Sequence, residues 1–269
     1  MTGERPRSAV LEGGDTSPGA RRVPPPARVR WQLGDLTCWC LPEFESALRA
    51  LYVDSLWVYD ALQGQPGADV LPGRRPVVGG HLGTEGVVVK RLHHGGLMAQ
   101  LTGDRFLSPV RFLANLRTAD DLAAAGIATP RVLFVSWRRL SGWVRGEIGS
   151  TRIRPSRDAG DVLFGGAGLP AGWEVVVDGV AAMVSRLHAA GFVHQDLNLR
   201  NFLTSGAGEV LILDLDKVRR GRPPLARAVR RRNLARLVRS VRKLGRRADA
   251  GAVEAVVARL VGTWECGGA

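Results

Sequence analysis

Cysteine is scarce in this 269-residue chain, and Cys38, Cys40 and Cys266 form neither an even set nor a Cys-x-x-Cys pair. That argues against a disulfide framework and against a zinc site, and leaves small, neutral thiols as the expectation. Long apolar runs are missing too. No stretch free of Asp, Glu, Lys and Arg exceeds 12 residues, the length of 92–103 and of 162–173, whereas a bilayer-spanning helix needs roughly 18 to 20. A transmembrane helix is therefore excluded. The N-terminal segment has no apolar core followed by a small-residue cleavage site, so no secretory signal is read and a cytoplasmic location is expected. Lysine is as rare as cysteine: Lys90, Lys217 and Lys243 stand against 35 arginines.

Apolar residues make up 45% of the chain, enough to bury a core in one large domain or two small lobes. The net charge of +13 is concentrated. Residues 217–247 hold 14 Lys or Arg and no Asp or Glu, and the remainder carries 24 basic against 25 acidic groups. Within that block Leu234, Leu237, Val238, Val241 and Leu244 recur at helical spacing. Arg231, Arg232, Arg236, Arg239, Arg242 and Lys243 cover the rest, which predicts a basic amphipathic helix. Such a helix suits an anionic membrane surface or substrate phosphates. No nucleic-acid-binding module is recognisable, so nucleic acid is not the expected partner.

Residues 1–30 are rich in Pro and Gly without apolar periodicity and are expected to form a solvated tail. From 31 to about 146, short apolar runs such as LTCWCL and VVVK are broken by Gly and Pro, and one helical stretch spans 108–125; this half reads as strand-rich. Beyond it, Val176, Val177, Val180, Met183, Val184 and Leu187 form the stripe of a helix over 173–190 that Gly191 stops. A polar loop, two short strands around 201–203 and 210–213, and the basic helix follow.

The most informative stretch is HQDLNLRNFLTSGAGEVLILDLD, residues 194–216. Asp196 and Asn201 lie five residues apart in a loop after a helix, and Asp214 follows an apolar strand 18 residues beyond Asp196. Those spacings match the catalytic loop and metal-binding aspartate of protein-kinase-like phosphotransferases. The chemistry explains the residue types. A carboxylate at Asp196 can orient a hydroxyl and accept its proton, while Mg2+ favours hard oxygens such as the Asp214 carboxylate and the Asn201 amide oxygen.

The segment resembles the lipopolysaccharide kinase family, the 3-deoxy-D-manno-octulosonic acid (Kdo) and heptose kinases, whose pattern reads approximately H-x-D-L-N-x-x-N-(I/L)-L followed by I-D-F-D. Here HQDLNLRNFL and LDLD carry the match, and Asn198 distinguishes it from ordinary protein kinases, which commonly place lysine there. The likeness extends through GRRPVVGGHLGTEGVVVKRLHHGG and covers roughly residues 70–245, with GEIGSTRI as the hinge. It implies an α+β, two-lobed protein-kinase-like fold, with an N-lobe over 31–146 and a small helical C-lobe over 147–269. It also implies that Lys90 contacts the phosphates of ATP, with Gly73 and Arg74 as the best candidates for the covering loop.

The implied activity is ATP- and Mg2+-dependent phosphorylation of a sugar hydroxyl of the lipopolysaccharide inner core. The acceptor would be Kdo on a lipid-linked precursor, met by a peripheral enzyme at the cytoplasmic face of the inner membrane. Two departures from the family pattern qualify this. No G-x-G-x-x-G precedes Lys90, and Asn115 stands where the helix glutamate that pairs with the lysine is usual, which leaves Asp120, Asp121 or Asp214 as partners. The alternatives are a small-molecule or protein kinase of the same fold, or an inactive pseudokinase acting as a binding module through the basic helix.

Overall fold

The computed structural model describes residues 26–71, 76–93 and 103–267. Gly73 and Arg74 lie outside the described residues. The first half is built on a seven-stranded antiparallel sheet in the order β1-β2-β6-β7-β5-β4-β3. Its strands are β1 (Val29–Leu33), β2 (Leu36–Cys40), β3 (Asp69–Leu71), β4 (Val77–Leu82), β5 (Glu85–Arg91), β6 (Val132–Leu140) and β7 (Trp143–Thr151). The sheet is covered on both faces. Helices α1 (Glu45–Asp54) and α2 (Val58–Gln63) bury Leu48, Tyr52, Val58 and Leu62 against Leu36, Val78, Val87 and Phe134. On the other face α3 (Val110–Ala124) packs Phe112, Leu116 and Ala119 against Val135, Trp137 and Val144.

Burial on both faces accounts for the unbroken apolar run at the start of β6, which a one-faced strand would not show. An irregularity in the β6–β7 ladder between Val132 and Phe134 turns Leu133 and Phe134 towards the same core, while Val132 and Val135 face the other. Gly149 is required where β7 crosses beneath Phe134: a Cβ there would meet the phenyl ring at 2.1 Å.

The second half carries two small sheets, of three and two strands, and four helices among its described residues. Strand β8 (Ser156–Asp158) pairs with β10 (Phe202–Ser205), which pairs with β11 (Val210–Ile212). Strand β9 (Phe192–His194) pairs with β12 (Val218–Arg220). Helix α5 (Trp173–Ala189) runs through the centre of this lobe, ended by Gly191 at φ 82. Against it pack α4 (Ala159–Phe164), α6 (Arg227–Leu244) and α7 (Ala250–Cys266), in a core that includes Val180, Val184, Phe202, Leu237 and Leu260. The molecule is thus two-lobed, strand-rich and then helical.

Several expectations shift in detail. Strand β1 begins at Val29, two residues inside the expected tail. Strand β7 continues to Thr151, so the 146/147 boundary falls within it, and GEIGSTRI is largely strand rather than a polar hinge, because Glu147 is buried and bonded to α1 and α2, which cover the sheet. The first half also contains α1 and α2. Cys38 and Cys40 are buried, Cys266 is exposed, and all three are free thiols.

Candidate active site

Lys90, Asp196, Asn201 and Asp214 come from four different segments. Lys90 sits near the end of β5, one residue before Arg91. Asp196 follows β9, Asn201 closes the 3-10 turn Leu199–Asn201, and Asp214 lies two residues past β11 in the left-handed conformation, φ 59 and ψ 52. That turn carries the Asp214 carboxylate across the gap between the lobes, where Oδ1 meets Lys90 Nζ at 3.4 Å. Of the three partners considered for Lys90 it is therefore Asp214. Asp120 is taken by Arg28 at 2.7 Å and Asp121 by Arg220 at 3.2 Å.

The loop around Asp196 is held by its backbone. The Asp196 peptide oxygen accepts from Asn198 Nδ2 at 2.9 Å and from Asn201 Nδ2 at 2.7 Å, and its N–H donates to His194 Nδ1 at 3.2 Å. With both main-chain polar atoms engaged, the exposed carboxylate is left as the group the loop presents. Because the Asn201 amide nitrogen donates to the loop, its amide oxygen is the atom left for a cation. His194 accepts at Nδ1, so Nε2 carries the hydrogen and donates to the Leu213 carbonyl at 3.1 Å. Burial holds this histidine below its ordinary range and keeps it neutral. It ties the Asp196 loop to the approach to Asp214 and has a structural role.

The histidine is anchored in turn. Asn233 of α6 donates to the His194 carbonyl at 2.8 Å, and its side-chain oxygen faces His188 Nε2 at 3.0 Å. His188 Nδ1 is reached by Trp264 Nε1 at 3.4 Å. One arrangement satisfies every group: indole to His188, His188 to Asn233, Asn233 to strand β9. His188 and Asn233 are buried. Asn233 belongs to the basic block that the sequence presents as a surface helix, and its part in the site was not visible there.

Asp216 is the other residue that sequence spacing passed over, although it stands in the same LDLD run. Burial raises the Asp214 carboxyl above the ordinary range, and the neighbouring Asp216 adds to it against the pull of Lys90. In Asp216 burial acts the same way but is outweighed by a hydrogen bond from Asp214 and by Lys90, Arg111 and Lys217, so it lies below the ordinary range. Arg111 of α3 bonds Asp216 Oδ2 at 2.8 Å. Asp216 Oδ1 is buried and has no donor when both carboxylates are ionised. A bound cation would satisfy it.

The donor set therefore fits magnesium: two adjoining carboxylates, one of them with an unmet oxygen, and a nearby amide oxygen. Among the described residues no three His, Cys, Asp or Glu side chains gather into a complete metal cage. Magnesium commonly takes a few protein oxygens and fills the rest of its shell with water and phosphate oxygens.

The family model described as "Lipopolysaccharide kinase (Kdo/WaaP) family" matches residues 68–262. The chain belongs to this family. Among curated relatives it is similar to the 3-deoxy-D-manno-octulosonic acid kinase of Stenotrophomonas maltophilia (strain R551-3), 35% identical over 164 residues, 58% of this chain and 62% of that protein. The kinases of the same name from Xanthomonas campestris pv. campestris (strain B100) and Xylella fastidiosa (strain M12) are 32% and 29% identical over the same shares of each chain. The chain thus spans 62% of the length of the curated relatives it matches. A solved structure described as "WaaP in complex with acyl carrier protein" covers 82% of this chain and is covered to 97%, at 17% identity and a TM-score of 0.46.

Proposed function

We propose that the protein is a kinase that transfers the γ-phosphoryl group of ATP to a sugar hydroxyl of the lipopolysaccharide inner core, with Kdo on a lipid-linked precursor as the acceptor. The observation that carries this is the meeting of Lys90 with the Asp214–Asp216 pair beside a loop that pins Asn201 and presents Asp196. Family membership and the names of the relatives support the choice of acceptor.

In this reading Lys90 moves from Asp214 to the nucleotide phosphates, and Asp214 and Asn201, with Asp216 beside them, would hold the magnesium. Magnesium would supply neutralisation of phosphate charge. Asp196 orients the acceptor hydroxyl and accepts its proton late in transfer. Its main chain is fixed from both sides, so little reorganisation is needed when substrate arrives. Asn198 and Asn201 hold the loop, and neutral His194 keeps it in register with the segment leading to Asp214. Gly73 and Arg74 are assigned to nucleotide binding on the family resemblance alone.

No helix among the described residues is long and apolar enough to cross a membrane. A lipid-linked acceptor would be reached from the bilayer surface, and the exposed arginines of α6 suit such peripheral docking at the cytoplasmic face of the inner membrane. The deciding experiment incubates the protein with ATP, magnesium and purified Kdo-bearing lipid precursor and measures product mass. One added phosphate on the Kdo residue is expected; transfer only to soluble small molecules or peptides would overturn the acceptor assignment.

A further inference from the structure

A cavity of about 530 Å³ opens between α3 and the chain just beyond the Asp214–Asp216 pair. Its walls include Arg111 and Asn115 from α3, and Asp216, Lys217, Arg219 and Arg220 from the segment running into β12. Four cations therefore face one carboxylate. Arg111 and Lys217 share the same oxygen, Asp216 Oδ2, at 2.8 Å and 3.8 Å. Arg219 spends NH1 on two peptide oxygens, those of Asp216 and Val218, each at 2.8 Å, and joins no carboxylate among the described residues. Arg220 pairs with Asp121 on the rim at 3.2 Å and lies over the Phe192 ring, 5.6 Å from its centroid. The guanidinium groups keep donors to spare, in a fork geometry that suits carboxylates and phosphates.

Asn115 is significant here. A carboxylate at this position, where the sequence pattern leads one to expect glutamate, would stand one helical turn from Arg111 and cancel part of the charge. The amide leaves the cavity cationic. The cavity also adjoins the proposed reaction centre through defined bonds: Val218 pairs with His194 in the β9–β12 ladder, and Gln195 N–H donates to the Lys217 carbonyl at 2.8 Å, next to Asp196. Its volume lies in the range of small-molecule sites and exceeds what a lone anion fills.

We propose that this cavity is the acceptor's oxyanion subsite, in which Arg219 and Arg220, with Arg111 and Lys217, hold a carboxylate or phosphate group of an acidic sugar while a hydroxyl of that sugar is presented to Asp196. The proposal rests on the lipid-sugar kinase reading and adds the element of the acceptor that is recognised: its negative charge.

The test compares wild type with Arg219→Gln/Arg220→Gln and with Asn115→Asp. Both arginines are exposed, so the double variant should fold, and a melting temperature near wild type checks this. On Kdo-bearing lipid precursor the KM for acceptor should rise at least tenfold in each variant, through lost charge-assisted hydrogen bonds in the double variant and through the added negative charge in Asn115→Asp, while the KM for ATP stays within about twofold. Repeating the measurement on acceptor stripped of phosphate monoesters separates the sources. A penalty that persists identifies the carboxylate, and one that disappears identifies the phosphate.

Binding of inorganic phosphate in the presence of a saturating, non-hydrolysable ATP analogue reports on the subsite without turnover. If wild type transfers nothing to lipid sugars yet its phosphate affinity falls at least tenfold in the double variant, the acceptor reading fails and the subsite stands. Unchanged acceptor KM together with unchanged phosphate affinity would overturn the subsite.

Discussion

At Asp196 the backbone is held by Asn198, Asn201 and His194, so the carboxylate can be changed without disturbing the loop that carries it. Asp196→Asn is expected to keep nucleotide affinity and melting temperature while slowing transfer by about 100-fold to 10,000-fold, the scale of lost general-base help. Single-turnover kinetics with ATP and the lipid precursor checks this, and a rate within a fewfold of wild type would remove Asp196 from its role. For Asp214 the pair itself makes a pH prediction. Burial raises its carboxyl, so Asp214 takes up a proton more readily than an ordinary carboxylate, at the position where magnesium would bind. Protons and magnesium therefore compete, and magnesium affinity should weaken as pH falls through the raised Asp214 range, with proton release on binding. Calorimetric titration in buffers of different ionisation enthalpy measures that release; Asp214→Ala should abolish it. Asp196, Asn201 and Asp214 were legible in the sequence because their spacing lies within one short stretch. The partner of Lys90 is 124 residues away and could be narrowed to three aspartates, no further, until the fold was known. Asp216 escaped for a different reason, since its role depends on an unmet oxygen that only packing reveals.

Helix α6 shows how an element can be read correctly and still be half understood. Its periodicity announces Leu234, Leu237 and Val241 as the buried face, and they are buried. The same face carries Asn233, whose two hydrogen bonds join α5 to the catalytic-loop strand. Asn233→Leu keeps the volume but strips His188 Nε2 of its acceptor and the His194 carbonyl of its side-chain donor in the interior. A loss of about 2 to 4 kcal/mol in unfolding free energy is expected by denaturant titration. In the protein that remains folded, kcat should fall more than the KM for ATP changes, because the loop and not the nucleotide site is released. The two histidines add a pH dependence. Both are held below their ordinary range, chiefly by burial, so the unfolded chain binds more protons than the folded one in mild acid. Their contribution is fully present above about pH 6.5 and is lost as pH falls towards the depressed folded values. Melting temperature should drop accordingly, and His188→Gln, which can donate and accept but not protonate, should flatten part of that drop. The short helices α1 and α2 were not legible. The first two N–H groups of α2, on Val58 and Tyr59, are capped by the Glu147 carboxylate at 2.9 Å and 3.0 Å, from a strand 88 or more residues away. A cap supplied from that distance leaves no local signature.

For the molecule as a whole, the sequence places the entire charge excess in one block, and the structure decides how much of it is free. Arg236 is tied to the Gln195 carbonyl beside Asp196, and Arg242 pairs with Glu254 at 3.0 Å, so neither belongs to a freely solvated surface. Arg231, Arg232, Arg239 and Lys243 remain exposed on the outer side of α6, while Leu234, Leu237 and Val241 anchor the helix to the core of the second lobe. A rigid, arginine-covered face on the lobe that carries Asp196 would hold the reaction centre close to an anionic bilayer, where a lipid-linked sugar is found. At about 1 kcal/mol for each basic residue near such a surface, changing these four to Gln should weaken vesicle partitioning by roughly a thousandfold at low salt, with a smaller loss at high salt. None of the four touches the loop, so transfer to a water-soluble sugar acceptor should stay at the wild-type rate while transfer to vesicle-embedded acceptor falls. Sedimentation with anionic vesicles, run beside both assays, tests the chain of reasoning at separate points. Unchanged partitioning would show the face to be only solvated surface, and equal loss in both assays would show that the substitutions act on the site and not on docking.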